Sequence, residues 1–174
     1  KNYFRSEELL LRWMEFSAFT SLYRSHEGNR PDDNQQVYSS VAATRHFARF
    51  ARIFAALAPY RAELMAQASQ QGLPLVRPLW MHYPDDLANI RELPRSFLLG
   101  EQVLVAPVLE PGITRLDVQL PTGRWTHLWS GKVYDMGQGG SVSVNAPLGE
   151  PAVFYQADSL VGGRLREVIK DFAD

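Results

Sequence analysis

The chain of 174 residues contains no cysteine, so neither a disulfide framework nor a thiolate metal site can form. A cysteine-free composition fits a reducing compartment, and a cytoplasmic location is expected. No apolar run approaches the roughly 20 residues that a membrane-spanning helix requires. Excess charge of either sign is also missing: eighteen Lys and Arg stand against nineteen Asp and Glu, for a net charge of -1. That balance excludes a strongly basic nucleic-acid binder and a strongly acidic disordered tail. Lysine is scarce, at three residues against fifteen arginines. Arginine favours planar, hydrogen-bonded pairing, so many of these side chains are expected to brace structure. Glycine and proline are nearly absent from residues 1–72, which hold four of the twenty-three, Gly28, Pro31, Pro59 and Gly72. The opening KNYFRSEE has no initiator Met and no apolar leader, and reads as a chain entered in its middle.

What is present divides at that change in composition. A helical first part is expected, followed by a turn-rich and strand-rich second part. Ser6 before Glu7 and Glu8 predicts a capped helix start, with Leu9, Leu10, Trp13, Phe16 and Phe19 at helical spacing. A second long helix is expected from about Val37, kinked or restarted at Pro59 and ended by Gly72. LVRPLWMHY (75–83) reads as a strand of an α/β unit. Short strands follow in QVLVAPV, TRLDVQL, WTHLW, SVSVNA and AVFYQ, at the spacing of a β-sandwich. Asp158 or Ser159 would cap a last helix.

Candidate chemistry concentrates in Arg24-Ser25-His26-Glu27-Gly28-Asn29-Arg30-Pro31-Asp32-Asp33-Asn34, a polar loop between two helices. Ser25, His26 and Glu27 are triad residue types, but sequence neighbours rarely converge as nucleophile, base and orienter. Asp32-Asp33 and Asp85-Asp86 suggest paired carboxylates, yet adjacent residues point to opposite faces of an extended chain, and turn acids are the simpler reading. His26, His46, His82 and His127 show no metal-ligand spacing. His46 reads as structural, and His82 as a residue that could line a cleft. Arg45, Arg49 and Arg52 share a helical face, which near-zero net charge favours as a solvated or ion-paired surface. Trp125, Trp129, Tyr134 and Tyr155 read as sandwich core, with sugar stacking as the rival role. These residues alone complete no catalytic constellation.

Several stretches do resemble a known family. SEELLLRWMEFSAFTSLYRSHEGNRP (6–31), LPLVRPLWMHYPDD (73–86), SFLLGEQVLVAPVLEPG (96–112) and GRWTHLWSGKVYDMGQGGSVSVNAPLGEPAVFYQADS (123–159) are similar, in order, to glycoside hydrolase family 31. HEGNRP followed by Asp and Asn resembles its sulfoquinovosidase branch.

The resemblance implies an α/β plus all-β fold: residues 1–100 as the last helices and strand of a (β/α)8 barrel, residues 101–174 as a β-sandwich with a short terminal helix. It also implies a retaining, exo-acting α-glycosidase that uses two Asp in a double displacement. Both Asp belong to motifs absent here and expected upstream, so this chain would carry no catalytic residue and be inactive alone. His26 matches the family His that hydrogen-bonds the sugar at the cleavage subsite. Arg24 matches the same motif and is expected as the second substrate-binding residue, acting mainly by ordering the loop through a pair with a nearby carboxylate. Glu27, Asn29 and Arg30 would line the rim. No metal or organic cofactor is implied. The expected partners are a small α-glycoside and the rest of the enzyme's own barrel, or further copies of the chain, covering exposed apolar surface. A non-catalytic carbohydrate-binding or structural module is the competing class, and it would rely on the sandwich tryptophans.

Overall fold

The computed structural model describes residues 4–26, 30–86 and 95–172. Three helices lead. Helix α1 spans Glu7–Ser17, with the Ser6 hydroxyl accepting from the Leu9 amide as the N-cap. Helix α2, Val41–Ala56, starts at Ser40, whose hydroxyl accepts from Ala43 and donates to Glu7. The interruption expected at Pro59 falls at Leu57, and α3 runs from Ala58 to Gln71 with the proline in its first turn, where no amide is lost. Gly72 ends α3 at φ 73°, the left-handed conformation that favours glycine. A last helix, α4, covers Leu160–Lys170 and is capped by Ser159.

The strands are β1 (Val76–Arg77), β2 (Phe97–Leu99), β3 (Val103–Ala106), β4 (Arg115–Leu120), β5 (Gly123–His127), β6 (Val133–Met136), β7 (Gly140–Asn145) and β8 (Ala152–Gln156). Among the described residues they form a six-stranded antiparallel sheet in the order β1-β2-β3-β8-β5-β6, and a two-stranded sheet, β4-β7.

Alternate residues of the larger sheet face two different layers. Leu99, Val103, Val105, Val153 and Tyr155 pack against Phe50, Ile53, Leu57, Tyr60, Leu64, Val161 and Leu165 of the helical side. Leu98, Leu104, Ala106, Phe154 and Trp125 pack instead against Val118, Leu120 and Val144 of the smaller sheet. This double covering explains why β3 and β8 carry unbroken apolar runs rather than alternation. Each large buried side chain contributes about 1.5–3 kcal/mol.

The strand expected over 75–83 differs in the structure. Only Val76 and Arg77 are extended, and they pair antiparallel with β2. Pro78 has no amide to continue the ladder, and Leu79–Met81 turns into a single 3-10 helix. The sheet therefore crosses residue 100: β1 and β2 precede it and are hydrogen-bonded, through β3, to the strands that follow it.

Buried arginines join the layers. Arg12, 7% exposed, donates to Glu15 at 2.9 Å and to the carbonyls of Ile113, Ala146 and Pro147. Glu15, 2% exposed, also accepts from the Gly149 amide at 2.6 Å and lies 3.3 Å from His46 Nε2. These polar groups on its inner face turn Leu9 and Trp13 outward, although helical spacing had grouped them with the buried set. Arg61 of α3 donates to the carbonyls of Ala18 and Thr20, just past α1, and to that of Phe54 in α2. Burial pushes its pKa down to about 10, which still leaves it charged at neutral pH.

Candidate functional site

The loop that carries Arg24 and His26 leaves α1 and runs along its outer side. Exposure alternates from Leu22 to His26, as it does in extended chain. Tyr23 and Ser25 face inward, while Leu22, Arg24 and His26 face solvent on the other side. The alternation places Arg24 and His26 together on one outward face.

Three contacts hold the run in place. The Tyr23 ring stacks on Phe47 at 5.0 Å and on Phe54 at 5.6 Å, and its hydroxyl donates to the Phe47 carbonyl. Burial pushes the Tyr23 phenol well above its ordinary range, so it stays a neutral donor. The Trp13 indole donates to the Arg24 carbonyl at 3.0 Å. The Arg5 guanidinium donates to the His26 carbonyl at 3.1 Å.

Arg5 also reaches the far side of the loop. Its Nε donates to the Gln35 carbonyl at 2.8 Å and one terminal nitrogen donates to Gln36 Oε1 at 3.1 Å. Its own amide donates to Asn34 Oδ1, and its carbonyl accepts from the Gln35 amide. Arg5 is 5% exposed. The sequence reading gave it no role. A lone arginine before a capped helix carries no motif, and only its excess of partners around one loop reveals it.

The side chain of Arg24 is exposed and makes no ion pair with a carboxylate among the described residues. The backbone there is held at the Arg24 carbonyl by Trp13 and at the His26 carbonyl by Arg5. His26 is likewise exposed, with its ring free to face a ligand. Glu27, Gly28 and Asn29 lie outside the described residues. Arg30 pairs with Asp33 at 2.8 Å on the surface. Asp86 accepts from the amide and hydroxyl of Thr122, so both Asp pairs contain a turn acid bonded within the protein.

The other histidines have structural partners. His46 meets Glu15 and the Leu11 carbonyl. His82 Nε2 lies 3.0 Å from the Arg77 guanidinium, which can only donate, so the ring accepts and braces the turn after β1. His127 is buried beside Phe154 and Ser130, and burial holds its pKa below the ordinary value. Among the described residues no group of three His, Cys, Asp or Glu could hold a metal ion. No helix of the described residues is long and apolar enough to cross a membrane.

The sandwich tryptophans are committed elsewhere. Trp125 is fully buried and donates to the Pro121 carbonyl, while Trp129 donates to Pro151 and lies under the Arg49 guanidinium. That contact also removes Arg49 from any stripe with Arg45 and Arg52. A cleft of about 430 Å³ opens at Tyr83, Arg124 and Gln156, and neither Arg24 nor His26 lines it. Among the described residues, Arg24 and His26 present one exposed face.

Two family patterns match this chain. "Glycosyl hydrolases family 31 TIM-barrel domain" covers residues 2–64, and "Glycosyl hydrolase family 31 C-terminal domain" covers residues 72–161. A sulfoquinovosidase of Escherichia coli (strain K12) is 49% identical over 89% of this chain and 22% of its own length. A sulfoquinovosidase of Agrobacterium fabrum is 47% identical over 89% of this chain and 23% of its own. Among solved structures, a sulfoquinovosidase from E. rectale in complex with an aza-sugar inhibitor superposes with a TM-score of 0.86. It is 37% identical, over 99% of this chain and 25% of that one. The chain therefore spans between a fifth and a quarter of the length of these relatives.

Proposed function

We propose that this chain, which belongs to glycoside hydrolase family 31, supplies one wall of the sugar-binding site of a retaining, exo-acting α-glycosidase of sulfoquinovosidase type. The observation that carries the reading is the outward, carbonyl-anchored presentation of His26, whose ring has no other partner among the described residues. His26 donates to, or accepts from, hydroxyls of the sugar whose glycosidic bond is cleaved. Such contacts strengthen as the ring flattens toward the oxocarbenium-like transition state. Arg24, on the same face, makes the second polar contact to substrate. Nucleophile and acid/base are two Asp supplied by the part of the enzyme outside this chain, in a double displacement that requires no cofactor.

The exposed side chains of Phe4, Leu9, Trp13 and Leu22 flank the same loop and form the seat for the rest of the barrel. We place the division between barrel-derived helices and sandwich at Gly72 to Leu75, where α3 ends and the sheet begins. The two family patterns also separate between residues 64 and 72. A cytoplasmic location belongs to the same reading.

The test is hydrolysis of α-glycosides, a sulfoquinovoside and an α-glucoside side by side, by the full-length protein that contains this segment. In it, His26→Ala is expected to lower kcat/KM roughly tenfold to a thousandfold, or about 1.5–4 kcal/mol, the range of a lost transition-state hydrogen bond. A folded His26→Ala enzyme with unchanged kinetics overturns the assignment. The binding-module alternative instead requires Trp125 and Trp129 to face a ligand; the burial of Trp125 and the indole hydrogen bonds of both argue against it.

A further inference from the structure

We propose that Arg5 is a positioning residue for substrate recognition, acting through the backbone of His26. The inference rests on the reading of His26 given above and adds to it the group that sets where the imidazole stands. A single guanidinium draws together points ten residues apart. His26 lies on the entering side of the polar loop, and Gln35 and Gln36 on the leaving side, with donor–acceptor distances of 2.8–3.1 Å. The main chain of Arg5 clamps the same leaving side, through Asn34 Oδ1 and the Gln35 amide. One residue thus ties His26 to Asn34, Gln35 and Gln36.

The acceptors explain why arginine is required. Three oxygens lie around one planar fork and each takes its own N–H. A lysine ammonium at the end of a flexible stem cannot span the same three directions at once. No carboxylate pairs with Arg5 among the described residues, so its contacts are to neutral carbonyl and amide oxygens. Such an arrangement gains little as an ion pair and much as a geometric constraint. Burial of the guanidinium keeps water from replacing it. His26 has no side-chain partner of its own among the described residues, so the carbonyl contact from Arg5 is the nearest restraint on its ring.

The experiment is a double-mutant cycle in the full-length protein, scored by kcat/KM on the sulfoquinovoside and by thermal unfolding. Arg5→Met is expected to lower kcat/KM roughly tenfold to a hundredfold, the cost of a reacting contact displaced by about 1 Å. Arg5→Lys is expected to fall as far. In a His26→Ala background the same Arg5→Met change is expected to cost less than about threefold, because the contact it positions is already gone. An equal loss in both backgrounds makes Arg5 a structural residue and overturns the proposal, as do unchanged kinetics in a folded Arg5→Met enzyme. If Arg5→Met does not fold, Gln36→Leu removes one acceptor of the guanidinium. Its expected loss is about threefold, again absent beside His26→Ala. A silent His26→Ala, or a wild type inactive on α-glycosides, brings down the functional reading itself. A strong His26→Ala effect with additive Arg5→Met brings down only the present inference.

Discussion

The Glu15 carboxylate and the Gly149 amide meet at 2.6 Å across 134 positions of sequence, joining the helix that leads to the candidate loop to a turn of the sandwich. Arg12 lies on the same carboxylate and bonds the carbonyls just before that turn. Neutralising Glu15 leaves a buried guanidinium without its anion. Glu15→Gln is therefore expected to destabilise the protein by about 3–5 kcal/mol. Urea unfolding of the two proteins measures it, and a loss under about 1 kcal/mol would show that neighbouring oxygens suffice for Arg12.

Gly162 and Gly163 stand side by side in α4 but face different surroundings. A Cβ on Gly162 would stand 2.2 Å from the Tyr155 ring, in the core, whereas one on Gly163 meets nothing within 4 Å. Gly162→Ala is expected to cost about 1–3 kcal/mol, overpacking outweighing the gain in helix propensity. Gly163→Ala is expected to stabilise by up to about 1 kcal/mol. Thermal melts of the pair test α4's seat on β8, and equal effects would contradict it.

Burial holds the imidazole of His127 below its ordinary pKa of 6.5, and its Nε2 has no partner among the described residues. A base whose pKa is depressed by folding takes up protons more readily when unfolded. Its contribution to stability is therefore complete above about pH 6.5 and erodes as pH falls below that value. His127→Asn retains an acceptor for the Ser130 side and cannot protonate. The difference in Tm between pH 7.5 and about pH 5 is expected to be smaller in this variant than in wild type. Identical pH profiles would remove His127 as a contributor.

Leu9 and Trp13, a helical turn apart on α1, expose 46% and 47% of their surface, and Phe4 and Leu22 expose more. Apolar surface of this kind drives association. The chain of 174 residues alone is expected to sediment as a concentration-dependent mixture, and Leu9→Gln with Trp13→Gln to shift it toward monomer. A compact monomer before substitution would mean that this face needs no cover.

Much of this architecture is legible in the residues. The caps at Ser6 and Ser159 and the αL end at Gly72 follow from local chemistry, whereas α2 starts at a Ser40 cap three residues past its expected start and the interruption expected at Pro59 falls at Leu57. Five strands are readable as short apolar runs between turns. β2 and β6 are not, because FLL and VYDM are too short to show a period. The stretch 75–83 misleads because large apolar residues outnumber its single breaker, Pro78. The burial of Arg12 and Glu15 is equally hidden. An i, i+3 charged pair reads as a solvated helix face, and only the carbonyls of the distant 146–149 turn make it interior. His26 and Arg24 stand out by motif and loop context. Arg5 does not, since its partners are backbone oxygens that sequence cannot place.

The bond between Glu15 and Gly149 also governs recombination. A chimera that joins barrel helices from one relative to a sandwich from another separates a carboxylate from the amide it was shaped to meet, even at a junction that falls neatly between α3 and β1. Helix α1 and the 146–149 turn are bonded as one structural unit, and exchanges that transfer both together are expected to retain more stability.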